Sequence, residues 1–143
     1  MGIVVRDGYE LSTDPSRINL GRVHRWLSED SYWALGRSLQ VQELANAGSL
    51  VCGIYRIGNG AQVGFARAVT DGATFGWLCD VYVDPADRGR GLGRWLAEHV
   101  RDELFNRGVR RILLSTADAH GVYAGVGFAA LATPERWMEL DQR

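Results

Sequence analysis

Lysine is missing altogether: all sixteen basic residues of this 143-residue chain are arginine. Arginine keeps its proton under ordinary conditions, so Schiff-base chemistry and Ser-x-x-Lys acylation lack their central residue, and a Gly-Lys-Ser/Thr phosphate loop cannot form. Cysteine is nearly as scarce. Cys52 and Cys79 are the only two, each inside an apolar strand-like run, which predicts reduced core thiols rather than a disulfide framework. No His/Cys/Asp spacing suggests a metal site, and no Gly-x-Ser-x-Gly elbow marks a serine hydrolase. No apolar run is long enough to span a membrane, and the amino-terminal stretch, acidic from Asp7, does not read as a signal peptide. The expectation is a cytoplasmic protein. A formal net charge of -1 leaves no electrostatic footprint for nucleic acid or an anionic membrane.

What is present is enough apolar material, 46% of residues, to build one domain over residues 1–143. The stretch 77–100 organises the rest: a strand through Val83, a turn opened by Asp84-Pro85, the loop Arg88-Gly89-Arg90-Gly91-Leu92-Gly93, then an amphipathic helix with Leu92, Trp95, Leu96 and Val100 on one face. Three alternating glycines let the backbone turn its N–H groups toward a ligand, and the helix adds the positive end of its dipole. The combination predicts an anion cradle, most simply for a pyrophosphate. It is not a dinucleotide fingerprint, because counting from Gly89 the last glycine position is Arg94.

Along the chain, a short strand is predicted over 9–12, then a helix capped by Asp14 or Ser16 and running to about Leu27, with Ile18, Val23, Trp26 and Leu27 apolar. A second helix is predicted over 37–46, with Leu39, Val41, Leu44 and Ala45 apolar and Gly48 closing it. Three strands joined by hairpin turns follow over 49–57, 61–69 and 74–83. After the central helix, 111–115 reads as a strand parallel to its predecessor, because a helix crosses between them. Asp118 is expected to cap a short helix through Tyr123, and the tail holds two apolar runs, 128–131 and 136–140. The sum is an α+β fold with a sheet antiparallel first and then parallel.

Arg88-x-x-Gly91-x-Gly93 resembles the Arg/Gln-x-x-Gly-x-Gly/Ala signature of the GNAT family of acyl-CoA-dependent N-acetyltransferases. Ala119-x-x-x-Tyr123-x-x-x-Gly127-Phe128 is similar to a second segment of that family, in the expected order and spacing. The resemblance implies the GNAT α/β/α fold, a mixed, mostly antiparallel sheet of about six to seven strands flanked by helices, with acetyl-CoA as cosubstrate. It implies that the backbone of Val81 and Val83 pairs with the pantetheine arm. It further implies that the N–H groups of Arg88, Gly89, Arg90, Gly91, Leu92, Gly93 and Arg94 hold the pyrophosphate, with arginine charge beside it. Thr116 stands where family members often carry Asn and offers a hydroxyl to pantetheine. The family is also compatible with a homodimer.

The chemistry requires a neutral amine, a donor for the tetrahedral oxyanion and an acid for the departing thiolate. The Val81 N–H is the expected oxyanion donor, and Tyr123 is the acid the resemblance implies; its alternative is an aromatic packing role beside Phe128. For the base, Asp80 shares a face with Leu78 and Tyr82 by strand alternation, and partial desolvation there predicts a raised pKa. A structurally hydrogen-bonded Asp80, with water, His120, Glu29 or Asp30 taking the proton, is the alternative. Glu29 and Asp30 precede Tyr32 and Trp33, which are expected to wall the acceptor pocket while a carboxylate attracts an ammonium group. The predicted activity is direct transfer of an acetyl group to a primary amine of a small or amino-acid-like acceptor. The alternatives are an acyl-CoA sensor or docking module without transfer, and an acetyltransferase acting on protein N-termini or lysines.

Overall fold

The computed structural model describes residues 2–143 and contains a six-stranded sheet. The strands are β1 (Ile3–Arg6), β2 (Tyr9–Ser12), β3 (Ser49–Arg56), β4 (Gln62–Thr70), β5 (Gly76–Val83) and β6 (Ile112–Leu113), and they lie in sequence order. The first four pairings are antiparallel and β5 with β6 is parallel. The helices are α1 (Leu20–Asp30), α2 (Leu39–Ala47), α3 (Leu92–Asn106) and α4 (His120–Ala124). This is the mixed α+β architecture expected from the sequence.

The strand-helix-strand unit forms as read. Leu92, Trp95, Leu96, Val100 and Leu104 recur at helical spacing on α3, and all are buried against Leu11, Ile54, Ala66, Ala68 and Leu78. Each fully buried large apolar side chain contributes roughly 1.5–3 kcal/mol, so this face supplies much of the stability. On the opposite face, Val23 and Leu27 of α1 pack with Val51, Phe65 and Tyr82 in a smaller cluster.

Several local expectations change. A strand precedes Tyr9: β1 pairs with β2 through the two-residue turn Asp7-Gly8, both at positive φ (50° and 85°), an Asp-Gly hairpin signal of the mirror-image turn type. The first helix is divided. Asp14 caps only a 3₁₀ turn, Pro15–Arg17, and Asn19 caps α1 by accepting from the Arg22 N–H at 3.0 Å. In α2 the apolar residues face outward: Leu39, Val41 and Leu44 are exposed, and Gln42 is the buried one. Asp118 does not cap α4; the Thr116 hydroxyl accepts from the Ala119 N–H at 3.0 Å instead. The two tail runs form no strand, and Met138 and Leu140 are almost wholly exposed.

Candidate active site

Two features of β5 create a cleft. Its ladder with β6 contains only the pairs Gly76↔Ile112 and Trp77↔Leu113, so from Leu78 onward that edge of β5 has no strand partner among the described residues. On the other edge the register with β4 shifts between Phe65 and Arg67, and Asp80 takes φ 54° there. Such a bulge redirects side chains and backbone together. Beyond it, the Asp84 N–H donates to Val63 of β4, so by alternation the N–H groups of Val83 and Val81 point toward the open gap. The Val83 carbonyl is already taken, accepting from Arg88 Nε at 2.9 Å.

The glycine loop sits at the mouth of this gap. Gly89 (φ 81°) and Gly91 (φ 75°) adopt left-handed backbone that side-chain-bearing residues avoid. Gly91 is the N-cap of α3, and the first intrahelical bond runs from the Trp95 N–H to its carbonyl at 3.0 Å. The N–H groups of Leu92, Gly93 and Arg94 therefore lack acceptors among the described residues, in the first turn of a helix of 15 residues. The loop is anchored from below by Asp87, a buried carboxylate that accepts from the Tyr9 hydroxyl at 2.7 Å and from Arg56 Nε at 3.1 Å. Arg56, Tyr9 and the neighbouring Arg90 hold the Asp87 carboxyl below its ordinary range, against the opposing pull of burial. Sequence reading did not single out this anchor.

Of the loop arginines, Arg88 and Arg94 turn away from the glycine loop and Arg90 stays beside it. Arg88 folds back, its guanidinium 5.1 Å from the Tyr82 ring and 3.6 Å from Asp30. Arg90 lines two hollows of about 280 Å³ each, one beside Asp7, Tyr9 and Arg56 and one with Gly91, Leu92 and Trp95 at the start of α3. Arg94 donates to Glu98 and to the Gly125 carbonyl, tying α3 to the end of α4. The loop thus presents unpaired backbone N–H groups, with Arg90 the arginine beside them. Arg88 and Arg94 are tied to protein groups instead of standing free beside a phosphate.

Tyr123 stands on α4, half-buried, edge-to-face with Phe128 at 6.0 Å between ring centroids. Burial first, then Tyr32 and Asp118, push its hydroxyl up to about 12, so it carries its proton throughout the neutral range. Among the described residues its hydroxyl has no hydrogen-bond partner in the protein. Tyr32 reaches across from the α1–α2 connection, and its hydroxyl accepts from the Ala117 N–H at 2.7 Å. That bond ties the α1–α2 connection to the loop carrying Thr116. Thr116 spends its own hydroxyl oxygen on the turn into α4.

Asp80 departs most from expectation. It does not share a face with Leu78, which packs under α3; the bulge turns it to the α1–α2 side. There Oδ1 accepts from Trp33 Nε1 at 2.8 Å, while Oδ2 accepts from Arg37 Nη1 at 2.7 Å and Arg67 Nε at 2.6 Å. Burial works to raise its pKa, but the hydrogen bonds and charges of Arg67 and Arg37 outweigh it, and the carboxyl is held below its ordinary value. A carboxylate so poised and so occupied is a poor proton acceptor, which corrects the raised pKa expected for it. Its oxygens hold Trp33, Arg37 and Arg67 in place.

Of the acidic candidates, Asp30 accepts from the Tyr82 hydroxyl and Glu29 lies exposed at the end of α1. His120 begins α4 and is exposed. Cys79, next to Asp80, is half-buried, and desolvation pushes its thiol up to about 11. It is held as a thiol at neutral pH, unlike an activated nucleophile.

The model of the acetyltransferase (GNAT) family matches residues 20–128. The chain belongs to that family. A Xanthomonas campestris protein assigned to the GNAT family, known from a crystal structure, is 39% identical, covers 96% of each chain and superposes with a TM-score of 0.89. A Gibberella zeae protein named as an acetyltransferase is 34% identical over 132 residues, 79% of this chain and 74% of its own length. The Escherichia coli alanine N-acetyltransferase of ribosomal protein bS18 is 42% identical over 76 residues, 49% of each chain. The chain therefore spans about half the length of that enzyme. Membership makes this GNAT chain an enzyme of the acetyltransferase class, one whose family generally draws the acyl group from acetyl-CoA.

Proposed function

We propose that this GNAT enzyme transfers an acetyl group from acetyl-CoA directly to the primary amine of a small, amino-acid-like acceptor within a ternary complex. The observation that carries the reading is the coincidence of the β5–β6 gap with the glycine loop: unpaired strand N–H groups run into an unpaired helix N-terminus. Pantetheine would pair along Val81 and Val83 as an added strand does. The N–H groups of the loop and of the first turn of α3 would receive the pyrophosphate.

In this reading the amine nitrogen, having given its proton to water in the cleft, attacks the thioester carbonyl carbon. The developing oxyanion takes the Val81 N–H. Collapse breaks the C–S bond, the thiolate takes the Tyr123 proton, and the second proton leaving the nitrogen returns through cleft water to the Tyr123 phenolate. Tyr123 suits this task because its hydroxyl is protonated and has no partner in the protein. Asp80 takes no part in proton transfer; it holds Trp33 and the arginines in place. Cys79, held as a thiol, supports transfer without an acyl-enzyme.

The test is calorimetric titration with acetyl-CoA, with NAD and ATP as controls, followed by CoA-thiol release over a panel of amines. Micromolar binding of acetyl-CoA alone is expected. Binding of none of the three would remove the cradle from the account. An α-amino group at a protein N-terminus is the second reading, favoured by the likeness to the bS18 alanine enzyme; an alanine-initiated peptide in the same panel decides between them.

A further inference from the structure

Between the sheet and α2 lies a chain of polar contacts whose charges do not balance. Arg37 donates through Nη1 to Gln42 and Asp80, and Arg67 donates through Nε to Asp80 and through Nη1 to Ser49. Two guanidinium groups thus share one carboxylate. The side chains of Asp80, Arg67 and Arg37 are 1%, 12% and 19% exposed, so bulk water screens the surplus charge poorly. Around the cluster stand Trp33 from the α1–α2 connection, Gln42 from α2, Ser49 from β3 and the Cys79 thiol from β5, and His24 of α1 meets the Arg37 carbonyl through Nε2 at 2.8 Å. The acids nearest along the chain are engaged elsewhere or exposed: Asp84 pairs with Arg22, Asp71 closes its own turn, Glu43 is exposed on α2, and Asp30 is engaged by Tyr82 and Arg88.

The arginines also keep donors in hand. Arg37 Nε and Nη2 and Arg67 Nη2 have no acceptor among the described residues, yet none of them is among the buried atoms sealed without a partner. They therefore keep some contact with solvent. Arg67 sits in register with Cys79 on β5, one strand spacing, about 4.8 Å, from the strand along which the acyl group would lie. Tyr32 and Trp33, packed edge-to-face at 4.9 Å and both exposed, stand beside the cluster.

We propose that Arg37 and Arg67, fixed by Asp80, form a carboxylate-recognition site, so that the acceptor of this enzyme carries a carboxylate in the same molecule as its amine. Planar guanidinium groups with spare donors bind carboxylates in paired hydrogen bonds. An incoming carboxylate supplies the missing negative charge of a cluster that is otherwise +1. This adds a site for the acceptor's carboxylate to the expected attraction of Glu29 or Asp30 for its ammonium group. It rests on the acetyl-transfer reading for the role of the bound molecule, though not for the site itself.

The test has two arms. In the first, protein without cofactor is titrated with phenylalanine, its carboxamide and phenethylamine. Phenylalanine is expected to bind at least ten times more tightly than the other two, and Arg37→Gln to remove most of that difference. In the second, kcat/KM is compared for the same three acceptors with saturating acetyl-CoA. The carboxylate preference is expected in KM and is expected to shrink in Arg37→Gln while acetyl-CoA affinity holds. Arg67→Gln provides a second variant, and the wild-type comparison needs no variant at all. Equal binding of the three compounds, or a preference untouched by Arg37→Gln, overturns the proposal. Loss of acetyl-CoA binding would strike the transfer reading and leave the first arm to decide this one.

Discussion

Under α3 the contact with the sheet is made by Leu92, Trp95, Leu96, Val100 and Leu104 on an apolar strand surface. Under α2 the wholly buried residue is Gln42, and the contact runs through Arg37, Asp80, Arg67 and Ser49. One sheet therefore carries two kinds of interface. The apolar one is non-directional and tolerates small adjustments, so it suits a scaffold. The ionic one is directional and low in dielectric, so every donor must be accounted for, and the donors left over mark where a ligand can enter.

Removing the shared carboxylate should have the largest effect. Asp80→Ala leaves two shielded guanidinium groups facing one another, and a loss of about 3–5 kcal/mol is expected in denaturant unfolding. Replacing Arg37 and Arg67 together in the same background should restore part of it, because the three residues act as a unit. The pH dependence follows from the lowered Asp80 pKa. Its contribution is fully present above the unfolded carboxylate value of about 4 and is lost as pH falls through the folded value. Acid unfolding of Asp80→Asn should show a shallower dependence in that range, and an unchanged slope would remove the ion cluster from the account.

On the apolar face, Leu96→Ala should cost about 2–5 kcal/mol, with no comparable pH dependence. An acid-sensitive loss there would erase the distinction between the faces. Tyr123→Phe should leave the melting temperature and acetyl-CoA affinity close to wild type and lower kcat about 10²-fold, equivalent to about 2.7 kcal/mol of barrier. An unchanged kcat would return Tyr123 to a packing role beside Phe128. The smallest effect is expected at Leu44→Gln. Leu44 looks like a core residue by spacing but is exposed, so the change should lie within about 0.5 kcal/mol; a loss of 2 kcal/mol or more would mean that this face is covered.

Much of the scaffold was legible because its signals are local. The α3 stripe, the glycine loop and the hairpin turns each follow from a few neighbouring residues. The strand before Tyr9 was legible too, since Asp7-Gly8 is a hairpin dipeptide, but its flanking run is short. The site was read less well. Asp80 was assigned to a face by strict alternation, and a bulge breaks alternation. Arg67, inside the otherwise apolar run 63–69, is itself a signal: a charge inside a central strand needs a partner, and Asp80 on the next strand is one. Pairing them required the register.

The sequence by itself determined the α+β order of elements, the parallel closing pair and a cradle that only glycine backbone can form, because these depend on residues close in the chain. The tertiary structure decided the protonation and the roles. Asp80 is ionised and occupied because residues 13 and 43 positions away converge on it. Arg88 is turned back from the glycine loop to Asp30 and the Tyr82 ring, and α2 exposes its apolar residues because its buried contact is polar and ionic. Charge is felt through space, and its neighbours are set by register and packing rather than by sequence distance.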